Sequence, residues 1–195
     1  MSRLDRMDSS SFTGEQLELY SEIINGPRNK NFSGKLLDEL GSLTGPFDIM
    51  MRSPRLGKHL SRLGEALRFE SSLASHYVEF LILKVAVQWK CEYEWYIHFD
   101  VAKSVGLEPA TIESIRLGEV PDSSDIGILV LDKVSNEILG ERKVSNSTFM
   151  QCREIFTESE MIQIATLLGY YTLLAIWLNL FEVKTGTGVK FFGND

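Results

Sequence analysis

The stretch CEYEWYIH, from Cys91 to His98, places a thiol, two carboxylates and an imidazole among three aromatic rings. On an α-helix Cys91, Glu94 and His98 fall at i, i+3 and i+7, so one narrow stripe carries all three side chains. Glu79 lies twelve residues before Cys91. If Glu79 to His98 formed one straight helix, at about 100° per residue the four would fall within roughly 120° of arc and could line one pocket. A charged glutamate is costly to bury in the apolar run HYVEFLILKVAV, so Glu79 should be paired, hydrogen-bonded or held protonated. That is the profile of a proton-handling group, and the imidazole of His98 is its natural partner. Glu94 and His98, one turn apart, should share a hydrogen bond and titrate together. Tyr93 and Trp95 are the candidate pocket-lining rings. They flank Glu94 on opposite sides of a helix, so at most one of them reaches the same space.

The elements that must position these groups are helical, because helix punctuation recurs along the chain and strand signals are sparse. Thr13 and Gln16 form a capping-box pattern, with Phe12 and Leu17 placed as its hydrophobic staple, and the helix should end near Gly26-Pro27. Residues 28–44 read as an irregular connection with at most a short helix over 35–43. Ser53-Pro54 reads as N-cap and first helical position, leading into Leu56, Leu60, Leu63 and Leu67 as one apolar face. HYVEFLILKVAVQWK, apolar almost all round, predicts a central helix. The CEYEWYIH segment either continues that helix or restarts after a kink near Lys90, and Gly106 should stop it. Pro109 opens a short helix to about Leu117. Ile126, Val130, Val134 and Ile138 predict a helix over 125–139 in spite of their β-branched content, and Ser145 and Thr157 read as further N-caps.

The last apolar run, MIQIATLLGYYTLLAIWLNLFEV, is long enough to span a bilayer. It contains Gln163, Tyr170, Tyr171 and Asn179, so the expectation is a helix buried on several sides, partly by another subunit, with no membrane contact. Tyr170, Tyr171 and Trp177 then read as core and interface aromatics, and His59 and His76 as solvated helix residues. The fold class is an all-α bundle, assembled as a homo-oligomer: dimer, trimer or hexamer. Residues 1–44 form an N-terminal helix and irregular extension, 45–185 the helical domain and 186–195 a tail.

The spacing E-x11-C-x-x-E-x-x-x-H resembles that of the carboxymuconolactone decarboxylase and alkylhydroperoxidase D (AhpD) superfamily, whose redox members carry E-x11-C-x-x-C-x-x-x-H on a helical core. Glu79, Cys91 and His98 match position for position, and Glu94 stands where the second cysteine would be. GPFDIMMRSPRLG, LRFESSL, CEYEWYIHFDVAKSVGL and LLGYYTLLAIWLNLFEV look like the subgroup with tyrosine, glutamate and tryptophan in place of Cys-x-x-Cys. Together they cover about Gly45 to Val183. The resemblance implies an AhpD-like helical bundle and two chemistries. Peroxidase members need one thiolate to attack peroxide and a second thiol to resolve the sulfenic acid. Glu94 removes the second thiol, and its charge one turn from Cys91 tends to raise the pKa of the first. Decarboxylase members imply a cofactor-free loss of carbon dioxide from a small carboxylated lactone, which asks for an acid and for stabilisation of an enolate-like charge.

The expected function is therefore cofactor-free acid–base decarboxylation or isomerisation of a small carboxylate or lactone, with Glu79, Glu94 and His98 catalytic. One alternative is a thiol peroxidase using Cys91. Another is a non-catalytic oligomeric module that binds a ligand. No cofactor and no metal are expected, since one histidine with two carboxylates is a weak ligand set. Composition bounds the partners. With 27 acidic residues against 20 Lys and Arg in 195, and no basic cluster, nucleic acid is excluded. Two distant cysteines and a start, MSRLDRMDSSS, without an apolar stretch fit a cytoplasmic protein acting on a small molecule.

Overall fold

Capping chemistry sets where the helices begin. In the computed structural model, which describes residues 2–28, 36–185, 188 and 190–193, the Thr13 side chain accepts from the N–H of Gln16, and the Gln16 side chain accepts from the N–H of Thr13, opening α1 (Gly14–Asn25). α2 (Pro46–Met51) and α3 (Pro54–Phe69) each start on a proline, whose missing N–H costs nothing at that position. Ser53 stands before α3 without a capping hydrogen bond from its side chain. α4 (Ser75–Gln88), α5 (Glu92–Ser104) and α6 (Pro109–Leu117) follow. Asp125 caps α7 (Ile126–Asn136), which widens into a π-turn at Glu137–Glu141. Ser145 caps α8 (Asn146–Ile155), and Thr157 and Glu160 cap α9 (Glu158–Leu180) reciprocally. Among the described residues these nine helices form no strand, only an isolated antiparallel bridge between Leu37 and Leu43.

The chain divides into two compact units, Met1–Glu70 with Trp177–Lys184, and Ser71–Ile176 with Thr185–Asp195. In the first, α1 and α3 run parallel: Glu15 pairs with Arg55, Glu18 with Lys58 and Glu22 with Arg62, all at a constant offset of 40 residues. Of the leucine stripe, the buried face of α3 keeps only Leu67. Gly57, Ser61, Gly64 and Leu67 are buried, whereas Leu56 is 50% and Leu63 39% exposed. Small residues win because the backbones approach closely: a Cβ on Gly57 would stand 2.5 Å from the Met50 carbonyl oxygen. Ser61 also receives the buried Arg28, whose Nη1 donates to Ser61 Oγ at 3.0 Å and whose guanidinium lies over the Phe47 ring. Residues 36–44 make no helix. Asp38 turns the chain back by accepting from the N–H groups of Leu40 and Ser42, and Thr44 N–H donates to Leu36. Lys35, where the short helix was expected to start, lies outside the described residues.

In the second unit α4 is the centre: every residue from Val78 to Ala86 is buried, including Glu79 and Lys84. At about 1.5–3 kcal/mol for each large apolar side chain, Phe80, Leu81, Ile82, Leu83 and Val85 outweigh the cost of carrying two charges on the same helix, provided both are paired. Lys84 is paired. Its Nζ donates to Asp132 Oδ1 of α7 at 2.6 Å, while Asn136 donates to Oδ2. α9 is long and apolar enough to cross a membrane, and 44% of its most apolar window is buried in the chain itself.

Candidate functional site

The geometry of the site starts from a chain reversal between α4 and α5. Lys90 adopts a left-handed conformation, φ 45°. Around it the N–H of Cys91 donates to Ala86 and that of Lys90 to Val87, the double hydrogen bond that closes a helix C-terminus. Cys91 then serves as the N-cap position of α5. Glu79 to His98 is thus two helices and not one straight rod, so the arc computed along a single helix does not apply. A second closure of the same kind ends α5, with Gly106 at φ 93° and the N–H of Leu107 donating to Ala102.

The reversal nonetheless brings three of the expected side chains together. Nδ1 of His98 lies 2.6 Å from Glu79 Oε2, and Nε2 lies 3.4 Å from Glu94 Oε2. All three groups are almost fully buried, at 2–3% exposure. An ionised carboxylate can only accept, so with Glu79 ionised the short contact is an Nδ1–H donating to Oε2. With a carboxylate on each side, the imidazole either carries both protons or faces one protonated carboxyl group. Glu94 and His98, expected to share a hydrogen bond, lie within ion-pair distance at 3.4 Å, and the tighter partner of His98 is Glu79, on the other helix.

Cys91 sits at the head of α5, buried. Burial, followed by the nearby Glu94 carboxylate, pushes its thiol well above the ordinary range, and the N–H groups of Glu94 and Tyr93 oppose that shift without cancelling it. Burial raises the Cys152 thiol as well. Tyr93 is buried next to Glu94. Trp95 is buried too, and its ring meets Phe99 (6.1 Å) and Phe192 (5.5 Å, edge-on). Phe192 is held there because Glu92, in the first turn of α5, accepts from the backbone N–H groups of Phe191 and Phe192.

The aromatic ring that packs on His98 is Tyr171 of α9, perpendicular at 5.3 Å, with Tyr170 edge-on behind it. Nothing local in the sequence linked Tyr171 to His98, whose segment lies on a different helix. Lys84–Asp132 was also missed, although a charge inside an apolar run is the signal that singled out Glu79. His76, expected to be solvated, is half-buried and faces Asp125 at 3.3 Å, and Tyr77 donates to the same carboxylate at 3.0 Å. Among the described residues no cluster of three or more His, Cys, Asp or Glu could hold a metal ion.

No family model and no curated protein matches this chain. Solved structures do. An uncharacterised peroxidase-related protein from Ralstonia eutropha with an alkylhydroperoxidase AhpD core aligns with TM-score 0.74 at 15% identity, over 98% of this chain and 94% of that one. A peroxidase-related protein from Silicibacter sp. aligns with TM-score 0.72 at 14% identity, over 97% and 95%. A protein of unknown function from Agrobacterium tumefaciens, a candidate antioxidant defence protein AhpD, aligns with TM-score 0.64 at 14% identity, over 70% and 94%. At these identities the likeness establishes the fold, which is all-α and AhpD-like.

Proposed function

Proceeding from its AhpD-like fold, we propose that this chain is a cofactor-free acid–base catalyst that decarboxylates or isomerises a small carboxylate or lactone. One observation supports the reading above others: a buried imidazole held between two carboxylates, Glu79 and Glu94. In a decarboxylation the bond to the carboxylate carbon breaks, its electron pair passes into a conjugated carbonyl as an enolate, and carbon dioxide leaves. His98, recharged through Glu79 or Glu94, returns a proton to carbon. Tyr171 packs perpendicular to the imidazole. We place the protein in the cytoplasm as a homo-oligomer.

A thiol peroxidase using Cys91 is the second reading, favoured by the descriptions of the structural neighbours. Against it stands the thiol itself, buried and held neutral by its surroundings, where attack on peroxide needs a thiolate. A panel of small β-keto acids and carboxylated lactones, assayed for carbon dioxide release or isomerisation, separates the two. Turnover lost in His98→Asn and retained in Cys91→Ala supports acid–base catalysis. Consumption of an alkyl hydroperoxide with a dithiol reductant, lost in Cys91→Ala, would transfer the assignment to the thiol. Ligand binding without turnover would mean a non-catalytic module.

A further inference from the structure

We propose that the second unit holds a separate binding site for a small apolar molecule, the size of one aromatic ring or a branched alkyl group, in the cavity framed by α7, its π-turn, α8 and α9. The cavity measures about 150 Å³. Val134, Cys152 and Ile164 form its buried floor, and Ile138, Phe149 and Ala165 stand at its mouth, Phe149 being 45% exposed. All of its lining residues are apolar or a neutral thiol. Ile138 joins this wall from the π-turn at Glu137–Glu141, where the chain leaves the regular α-helical track of α7.

The wall selects the occupant. Burying an unpartnered hydroxyl or amide there is strongly unfavourable, whereas hydrocarbon gains with every part of its surface removed from water. Water is equally ill served, because it needs at least two polar partners. Dry cavities of about this volume lined by aliphatic and aromatic side chains take up benzene or xenon. A protein partner is a poor fit: a stable interface covers about 800 Å² on each side, and a cavity of about 150 Å³ has room for about one side chain. The site uses none of Glu79, Glu94 or His98, so it stands or falls independently of the acid–base reading.

The test uses benzene as the probe and methyl-labelled full-length protein. Saturable shifts of Val134, Ile138, Val144 and Ile164 methyl resonances are expected, with the sedimentation coefficient unchanged. Ala165→Phe plugs the mouth and should abolish those shifts. Should that variant fail to fold, Val134→Thr places a hydroxyl in the floor at constant shape and should weaken benzene binding by about tenfold. Three outcomes overturn the proposal: no saturable shift, unchanged binding in a folded variant, or the same methyls shifting with protein concentration as sedimentation quickens, which would make the occupant a second copy.

Discussion

Glu79 Oε2 stands 2.6 Å from His98 Nδ1 across 19 residues of sequence and a chain reversal, whereas Glu94, one helical turn from the same imidazole, stands at 3.4 Å. The long-range contact is the stronger one, and both partners are buried. Removing one member of such a pair leaves an uncompensated group, a loss of about 3–5 kcal/mol. His98→Ala should therefore destabilise on that scale. Combined with Glu79→Leu it should cost clearly less than the two single losses added. Glu79→Gln should also perturb the His98 ring nitrogens more than Glu94→Gln, as read by ¹⁵N chemical shifts. Equal perturbation by the two would remove Glu79 as the principal partner.

Alkaline pH should unfold the protein early. Burial holds the Cys91 and Cys152 thiols above their ordinary range, and burial, then the hydrogen bond to Asp125, pushes Tyr77 up to about 12. Unfolded thiols ionise near 8.5 and an unfolded tyrosine near 10, so above these values the unfolded chain releases protons that the folded chain keeps. The native state then binds more protons, and stability falls as pH rises. Their contribution is fully present below about pH 8 and shrinks above it, by at most about 1.4 kcal/mol per pH unit per group. Urea midpoints measured from pH 7 to 10.5 should decline, and the decline should be shallower in Cys91→Ala. A wild-type profile that is flat over this range would mean the thiols are not protected.

Lys90 carries a side chain where the backbone favours glycine, at φ 45°. The left-handed conformation costs an L-residue about 1–2 kcal/mol, part of which glycine returns through its freer unfolded chain. Lys90→Gly should be more stable than Lys90→Ala by about 0.5–1 kcal/mol in thermal denaturation, since alanine keeps the Cβ that the left-handed conformation disfavours. Destabilisation by glycine would show that the lysine side chain itself holds the turn.

Gly57 is the opposite case. Its missing Cβ would meet the Met50 carbonyl oxygen at 2.5 Å and Met50 Cβ at 2.8 Å, and backbone cannot step aside as a flexible side chain can. Gly57→Ala should cost about 1–3 kcal/mol despite its better helix propensity, because steric crowding exceeds the gain of about 1 kcal/mol. A gain in urea midpoint would contradict the close approach of α2 and α3.

Much of the helical punctuation was legible in sequence. The Thr13–Gln16 box, Pro109, Ser145 and the Thr157–Glu160 box all mark helix starts, because a cap is a local exchange of hydrogen bonds between residues three apart. Glu79 was legible for a different reason: a charge in an apolar run demands a partner wherever the run folds. What escaped depended on distance or on shape. Lys90 gives no turn signal of its own, so whether α4 and α5 were one helix stayed open. Tyr171 reaches His98 only through tertiary packing. On α3 the leucine stripe suggested the buried face, but close backbone approach favoured Gly57, Ser61 and Gly64, and periodicity of hydrophobicity does not register smallness.

The reversal at Lys90 makes the site a matter of counting. Glu79 meets His98 because a fixed number of residues separates each from the turn. One residue inserted into α4 beyond Glu79 would rotate that carboxylate by about 100° around the helix and slide it about 1.5 Å, away from the imidazole. An insertion between the turn and His98 would swing the ring by the same angle. A change in the length of this stretch moves one member of the pair bodily away from the other, which an exchange of residue type between them does not. Chain length between Glu79 and His98 is therefore the feature least free to drift, and designed single-residue insertions there should disable the cluster while leaving each helix able to form.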